Sequence, residues 1–385
     1  MTIGISHSVP PGVAILKIIN FNYTIMEHAV ICNPYFNNEG YIAHFNYFEF
    51  EGYRIPCGVL DLENDYTQEI APFQILIKTK AFSCNFRDRA LLLAFNDACQ
   101  NMDPPTFSPF GSDFVAEVIK VGKKVKTLRS GDRVISDGAY PHKEYSIPGL
   151  PTNFASQRYL VLNYDQVIKI PSNMPDEVAA AFTIGSQTSY GMIKKLNIRE
   201  GENILLLSAT SNTSLFALMA LKNKHKNIYA VSTRKKYHSK LYELGVKECA
   251  TMDELQDLSD RIHGFDVVID PHFDIHFPLI PRVMNSLGRY ITCGLCNQYG
   301  NIDYRNYFTV SDYVTALSGC ISQNITVIGN CLGTREDLQT AINDYETGIY
   351  SILLDSVYND DVKSFLHRSY IDSERIGKVV FKYDD

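Results

Sequence analysis

The chain has 385 residues, of which 45% are hydrophobic and 21% are charged, and its formal net charge is -7. This length supports two domains with large cores, and the composition excludes a largely disordered chain. The acidic balance, with a pI near 5.8, argues against a nucleic-acid-binding protein and against a protein held on a membrane by a basic patch.

Targeting signals are not evident in the sequence. Residues Met1–Ile5 lack the basic region and the long apolar core of a signal peptide. No run reaches the roughly 18 uninterrupted apolar residues that cross a bilayer. We therefore expect a cytoplasmic protein with free thiols and without a membrane or nucleic-acid partner.

The β-rich first half shows regular alternation of apolar and polar residues. Strands are predicted over Phe73–Ala81 and Asp113–Val121, and Gly131–Val134 is predicted to be a turn that enters a further strand. A short helix is predicted over Arg87–Asp97. Helical periodicity becomes dominant only after Asp176, which puts the boundary between the halves near Pro171–Pro175.

The most informative segment covers residues 204–217, where an apolar strand runs into small residues and then into a helix. A turn without bulky side chains lets backbone N–H groups approach a pyrophosphate at the helix N-terminus. Ser208, Ser211 and Ser214 occupy the three positions where glycine or alanine is expected in such a motif. The alternative is an ordinary helix capped by serine after a strand.

A second apolar strand, Ile228–Val231, ends in Ser232, Thr233 and the basic run Arg234–Lys236. An NAD site would carry Asp or Glu here, roughly 20 residues beyond the turn, whereas the 2'-phosphate of NADPH requires hydroxyl donors and fixed positive charge. The sequence therefore favours NADPH. The alternative is a basic face in contact with solvent only.

Three more apolar strands follow, over 265–270, 287–294 and 325–330, and each ends in small or polar residues. Ligands of an open α/β sheet lie beyond the carboxyl ends of its strands. The predicted cofactor-binding residues are Thr188, Ser208, Ala209, Thr210, Ser211, Asn212, Thr213, Ser232, Thr233, Arg234, Lys235, Gly294 and Leu295.

Several motifs in order resemble the medium-chain dehydrogenase/reductase superfamily. They are Gly111–Val118, Val121–Gly122, Gly131–Val134, Gln187–Gly191 and Gly377–Val380. The resemblance implies the α/β fold class, with a GroES-like β-barrel catalytic domain, a Rossmann cofactor domain, an active-site cleft between them and a homodimer. It assigns residues 1–175 and 334–385 to the first domain, with a β-rich extension over about 1–70, and 176–333 to the second.

The sequence departs from the zinc-dependent members of this superfamily. They carry a catalytic Cys where this chain has Asn85, and a His-Glu pair where it has Ser112 and Asp113. A catalytic zinc site needs three nitrogen, sulfur or carboxylate ligands. The four-cysteine structural lobe is missing too, because residues 137–154 contain no cysteine. We therefore expect no metal.

Without a Lewis acid, the easier hydride reaction is addition to an activated C=C bond. Asn85–Asp88 resembles the Asn-x-x-Asp element of quinone and enoyl reductases, which implies that Asn85 donates a hydrogen bond to the acceptor carbonyl, with Asp88 beside it. The alternative for Asn85 is to cap the helix that follows. Tyr140 is a candidate proton donor. Asp113 is expected to stabilise a turn or to orient a neighbouring side chain.

The residues before the first barrel strand exceed what compact quinone reductases carry. Val13–Ile18 and Phe45–Phe50 are predicted strands. They either extend the core or form a platform for a larger substrate such as a peptide. A chain without zinc ligands, with the Asn-x-x-Asp element and a serine-rich nucleotide turn, also resembles the dehydroalanine-reducing dehydrogenases of lanthipeptide biosynthesis, which convert a dehydroamino acid into a D-residue. A third hypothesis, favoured by the serine replacements in the turn, is a non-catalytic NADPH-binding protein with a structural or regulatory role.

Overall fold

A computed structural model of the protein describes residues 24–35, 42–64, 69–100, 106–138, 153–296 and 308–384. The chain forms two compact units. Unit 1 comprises residues 1–184 and 354–385, and unit 2 comprises residues 185–353. The predicted domain boundaries at 175/176 and 333/334 lie somewhat earlier in the chain, and they stay a prediction.

Unit 1 is mainly β-structure, with elements numbered in chain order. Its strands are β1 Thr24–Cys32, β2 Ile42–Phe50, β3 Tyr53–Asn64, β4 Gln74–Ser83, β5 Phe107–Ser108, β6 Asp113–Val121, β7 Arg133–Ser136, β8 Tyr159–Asn163, β9 Val167–Lys169, β16 Leu354–Tyr358 and β17 Lys378–Lys382. Its helices are α1 Asp88–Gln100, α2 Asp176–Ala179, α10 Val362–Tyr370 and the first residues of α3 Thr183–Leu196.

The strands of unit 1 form two sheets. One has the order β2-β3-β1-β5, and the other has the order β16-β17-β4-β6-β7-β9 with β8 added on β4. Pairing within the second sheet is antiparallel except between β16 and β17. The C-terminal strand β17 lies beside β4, so that Val380 pairs with Ser83. This pairing brings the end of the chain next to the segment that follows β4.

The N-terminal extension shares the core of unit 1. Ala29 and Phe48 from its strands belong to the same buried cluster as Phe82 and Phe381. Ser156 Oγ donates to the carbonyl oxygen of Ala29 at 2.6 Å. The predicted strand at 45–50 is confirmed within β2, whereas Val13–Ile18 lies outside the described residues. The contacts agree with an extension that enlarges the core.

Unit 2 contains the remaining elements. They are the rest of α3, β10 Ile204–Leu206, α4 Asn212–Leu221, β11 Ile228–Val231, α5 His238–Glu243, β12 Glu248–Ala250, α6 Leu255–Ile262, β13 Phe265–Asp270, α7 Phe273–His276, β14 Met284–Thr292, α8 Val310–Ser322, β15 Thr326–Gly329 and α9 Arg335–Glu346.

All strands of unit 2 pair in parallel, in the order β12-β11-β10-β13-β14-β15. Numbered from β10, this is the order 3-2-1-4-5-6 of doubly wound dinucleotide-binding folds, in which the strand order reverses between the first and fourth strands. The predicted α/β class with a parallel sheet is confirmed. The apolar runs became strands because β10, β11 and β13 are covered on both faces and bury nearly every side chain.

Most predicted elements of the second half are confirmed. Residues 334–385, which the resemblance assigns to the first domain, divide between the two units. Helix α9 belongs to unit 2, and the chain returns to unit 1 at Leu354 with a strand, a helix and the final strand. Within the described ranges, no helix combines the length and the apolar character that crossing a membrane would require.

Candidate functional site

The turn after β10 uses its three serines in three different ways. Ser208 adopts a left-handed backbone with φ of +44°, a conformation that favours glycine because a Cβ crowds the following carbonyl. Ser211 is the N-cap of α4, and its side chain accepts from the Ser214 N–H at 3.3 Å. Ser214 is buried, and its Oγ donates to the carbonyl oxygen of Leu207 at 2.6 Å. The three serines thus stand where glycine is expected: Ser208 in a tight turn, Ser211 at the start of a helix and Ser214 in a close packing contact.

Two N–H groups of this turn are already bonded within the unit. Ala209 N–H donates to the carbonyl oxygen of Val231, and Ser211 N–H donates to that of Ser208, both at 2.8 Å. A phosphate at this helix N-terminus would therefore be met by other N–H groups of the predicted set. Thr210, Asn212 and Thr213 lie at this N-terminus, half-buried at the surface of the turn.

A buried polar network lies at the carboxyl end of β13, next to the serine turn. Asp270 Oδ1 accepts from the His272 N–H at 2.8 Å and contacts His276 Nδ1 at 2.7 Å, and Oδ2 accepts from the Tyr290 hydroxyl at 2.6 Å. His272 Nδ1 lies 3.2 Å from Ser208 Oγ. The network ties β13 and β14 to the turn.

The end of β14 carries the predicted residues Gly294 and Leu295, flanked by Cys293 and Cys296. The carbonyl oxygen of Gly294 accepts from the Phe273 N–H at 3.0 Å, which holds the strand end against α7. Both cysteines are free thiols, and burial together with the nearby Asp270 carboxylate raises the pKa of Cys293 to about 12. The Cys293 thiol is therefore protonated at neutral pH.

The basic run after β11 lies at the surface. Ser232 is buried and its Oγ accepts from the Arg234 N–H at 3.3 Å, while Thr233, Arg234 and Lys235 are exposed. Lys235 Nζ pairs with Glu254, and this hydrogen bond lowers the pKa of Glu254 to about 2. Part of the positive charge is therefore balanced inside unit 2. The predicted cofactor residue Thr188 lies on α3, which precedes the first strand of this sheet in the chain.

In unit 1, the side chain of Asn85 belongs to a polar cluster just after β4. Its Nδ2 donates to Ser112 Oγ at 2.9 Å and to Asp113 Oδ2 at 2.8 Å. Its Oδ1 accepts from Lys378 Nζ at 2.9 Å. Lysine only donates and carboxylate only accepts, so these partners fix which end of the amide faces which neighbour.

Lys378 and Asp113 are both buried and form an ion pair with an Nζ···Oδ2 distance of 3.1 Å. Lys378 Nζ also donates to the carbonyl oxygen of Cys84 at 2.9 Å. The second carboxylate oxygen of Asp113 accepts from the Ile184 N–H at 2.9 Å. Asp113 thus orients its neighbours, which is the second of the two roles predicted for it.

Asp88 closes the cluster from the start of α1. Its Oδ2 accepts from the Asn85 N–H and from Ser112 Oγ, both at 2.7 Å. Burial raises the pKa of Asp88, and the charge of Arg87 acts in the opposite direction. The predicted capping role of Asn85 is wrong, because its amide is bonded to Ser112, Asp113 and Lys378. Asp88 instead accepts the Asn85 backbone N–H.

The comparisons with known proteins agree with this architecture. Residues 71–172 match the family model of the alcohol dehydrogenase GroES-like domain. The chain is 25% identical over 325 residues to acryloyl-coenzyme A reductase from Metallosphaera sedula, covering 80% of this chain and 91% of that protein. These similarities agree with the resemblance of the sequence motifs to the medium-chain dehydrogenase/reductase superfamily. The relatives similar to this chain include enoyl and quinone reductase-like proteins.

Two solved structures of this superfamily illustrate the shared fold. The thermostable alcohol dehydrogenase from Pyrobaculum aerophilum has a TM-score of 0.68 and 24% identity, covering 92% of this chain and all of that one. The 2-octenoyl-CoA carboxylase reductase CinF, solved with NADP and 2-octenoyl-CoA, has a TM-score of 0.64 and 18% identity, covering 85% and 82%. The predicted combination of a GroES-like domain and a Rossmann unit is confirmed.

The three positions that hold zinc in metal-dependent members of the superfamily do come together here. They are Asn85, Ser112 and Asp113, and they are joined by direct hydrogen bonds. The amide and the hydroxyl are not among the ligand types of a catalytic zinc site, and the carboxylate is already paired with Lys378, so the three residues do not fit a catalytic zinc ion. Among the described residues, no group of three or more His, Cys, Asp or Glu side chains could hold a metal ion.

Two residues of the site have no role predicted from the sequence. Lys378 lies in the Gly377–Val380 motif, and His272 follows β13. A signal for His272 was present, since it follows the carboxyl end of a predicted strand. Tyr140, the predicted proton donor, lies outside the described residues.

Proposed function

We propose that the protein is an NADPH-dependent, zinc-independent reductase that adds hydride to an activated C=C bond conjugated to a carbonyl group. The observation that carries the proposal is the parallel sheet in the order 3-2-1-4-5-6 with a small-residue turn after its first strand and Arg234 after its second. Acryloyl-coenzyme A reductase from Metallosphaera sedula, which is similar to this chain over 80% of its length, is named for an acceptor of this class.

The cofactor fits the residues of unit 2. The turn from Ser208 to Thr213 would hold the pyrophosphate, and Ser232, Thr233 and Arg234 would hold the 2'-phosphate. When bound, NADPH supplies the hydride. The complex of CinF with NADP supports this choice of cofactor.

The cluster of unit 1 would orient the acceptor. Asn85 is half-buried, whereas Asp88, Ser112, Asp113 and Lys378 are buried, so the Asn85 amide is the member nearest to solvent. Its Nδ2 group would exchange the bond to Ser112 for one to the acceptor carbonyl, where negative charge develops as the hydride adds. Burial keeps the rest of the cluster fixed during this exchange.

An acceptor panel tests the activity directly. NADPH oxidation is measured with an enone, an enoyl thioester such as acryloyl-coenzyme A, a quinone and a peptide containing dehydroalanine. Turnover on the first three supports the proposal. Turnover on the peptide alone would identify the lanthipeptide alternative. Tight NADPH binding without oxidation by any acceptor would instead indicate a non-catalytic binding protein.

Arg234→Ala is expected to weaken NADPH binding by about 10- to 100-fold, because a charge-assisted bond to the 2'-phosphate contributes about 1.5–3 kcal/mol. NADH binding should stay unchanged, since it lacks that phosphate. Fluorescence titration measures both. Lys240→Ala is the matched control, since Lys240 is an exposed cation on α5 paired with Glu243. Equal losses for the two cofactors would contradict the proposed phosphate contact.

We also propose a homodimer formed through the outer edge of the sheet of unit 2. Strand β15 is the last in the order, and four apolar side chains form an exposed stripe on the neighbouring helix α8. They are Val310, Val314, Leu317 and Ile321. A second copy would cover this stripe and the outer edge of β15, which pairs only with β14 among the strands that the structure describes. The exposed Cys331 thiol fits a reducing compartment such as the cytoplasm.

Ile321→Glu is expected to convert the dimer into a monomer, because Ile321 is 79% exposed and the substitution puts a charge into the apolar stripe. Sedimentation equilibrium measures the mass. Val161→Glu is the control, since Val161 is a half-exposed apolar residue of unit 1. A wild-type chain that sediments as a monomer at micromolar concentration would contradict the dimer.

A further inference from the structure

The side chain of Lys378 is buried to an unusual degree. It is 1% exposed, although lysine side chains normally keep their ammonium group in water. Its three N–H donors have three acceptors, namely the carbonyl oxygen of Cys84, Asn85 Oδ1 and Asp113 Oδ2, at 2.9, 2.9 and 3.1 Å. The ammonium group is therefore fully coordinated by oxygen atoms.

These acceptors come from two places in the chain that are far apart. Cys84 and Asn85 follow β4, Asp113 begins β6, and Lys378 begins β17. The antiparallel pairs β17·β4 and β4·β6 put the three strands side by side, with Val380 opposite Ser83 and Ser83 opposite Asp113. The lysine therefore reaches the cluster from the last strand of the chain.

We propose that the Lys378 ammonium is the built-in cation of this site and acts as a positioning residue for Asn85. It contacts two of the three side chains that occupy the zinc-ligand positions, Asn85 and Asp113, and it balances the buried charge of Asp113 as a bound ion would. By donating to Asn85 Oδ1, it turns Nδ2 toward Ser112 and Asp113 and fixes the direction in which the amide can donate.

This inference rests on the proposed reductase function only for its effect on turnover. Unlike a metal ion in a catalytic site, a fixed ammonium group has no open coordination position for the substrate. The acceptor carbonyl must then bind a neutral donor, and that suits an alkene acceptor better than an alcohol. The Asn85 amide, oriented by Lys378, would therefore make the substrate contact that the metal makes in zinc-dependent enzymes.

The experiment removes the ammonium and returns it from solution. Lys378→Ala is expected to lower kcat by about 100-fold, the effect of misplacing a contacting group by about 1 Å, with the Kd for NADPH unchanged. Ethylammonium should restore part of the kcat and of the thermal midpoint, whereas the same concentration of NaCl should not. Lys382→Ala is the matched control, because Lys382 lies on the same strand and its partner Glu177 is half-exposed.

A second variant separates positioning from charge balance. Lys378→Met combined with Asp113→Asn leaves no unpaired charge, so the protein should fold, and its kcat should stay low. The side-chain amide of Asn85, followed by NMR with labelled asparagine, should exchange its protons faster in both variants. This readout needs no activity, so it tests the positioning even if no acceptor is reduced. Unchanged amide exchange, or ethylammonium without effect on Lys378→Ala, would overturn the proposal.

Discussion

Asp113→Ala is expected to lower the free energy of unfolding by about 3–5 kcal/mol, the usual cost of leaving a buried charge without its partner. The substitution leaves the Lys378 ammonium group buried beside two neutral oxygen atoms. It also removes acceptors from the Ile184 N–H and from Asn85 Nδ2. Urea denaturation of the purified protein measures the change.

The control for this prediction is an ion pair at the surface. Glu243 pairs with Lys240, and their side chains are 64% and 47% exposed, so Glu243→Ala should cost at most about 1 kcal/mol. A double-mutant cycle between Asp113→Ala and Lys378→Met should give a coupling of about 2 kcal/mol or more, because the second change removes the charge that the first leaves unpaired. Additive effects would mean that the pair does not interact in the way its geometry indicates.

The elements of unit 2 could be predicted well from sequence because its strands are buried on both faces. A short apolar run such as Phe265–Asp270, lying between helical segments, indicates a buried parallel strand. The segment in which the chain returns to unit 1 is harder to predict from sequence. Helix α9 and strand β16 have weaker signals, since β16 buries none of its side chains fully.

The sequence predicts the position of the serine turn but not the role of each serine in it. Spacing identified Ser208, Ser211 and Ser214, yet their different roles depend on backbone angles and on the carbonyl oxygen of Leu207, neither of which a one-dimensional pattern reveals. A left-handed serine is costly in isolation. Its contact with His272, which lies between β13 and α7, holds the turn in this conformation.

The role of Lys378 could not be predicted because it depends on pairing between distant strands. The Gly-Lys-Val-Val motif identifies a final strand, and nothing in it indicates that the lysine points inward. Asn85 shows the converse. Its position was identified from sequence, but its amide is bonded to side chains from β6 and β17, so its proposed contact with substrate requires an exchange of partners.

Gly333→Ala is expected to destabilise unit 2 by about 3 kcal/mol, the upper range for overpacking a core. A Cβ on Gly333 would lie 2.2 Å from the backbone carbonyl oxygen of Gln187, and a Cβ on Gly191 would lie 2.7 Å from the Cα of Gly333. Both close contacts involve backbone atoms, so no side chain can rotate away. This explains why the motif Gln187–Gly191 ends in glycine: α3 passes directly over the loop before α9.

The same substitution should also affect cofactor binding, because α3 carries Thr188, one of the predicted cofactor residues. We expect weaker NADPH binding together with a lower unfolding midpoint in thermal denaturation. Gly329→Ala is the matched control: it lies on β15 in the same unit, and a Cβ there meets no atom within 4 Å. It should change stability by less than about 0.5 kcal/mol. A Gly333→Ala protein as stable as the control would show that α3 can move away from the loop, and the close crossing would then have no structural role.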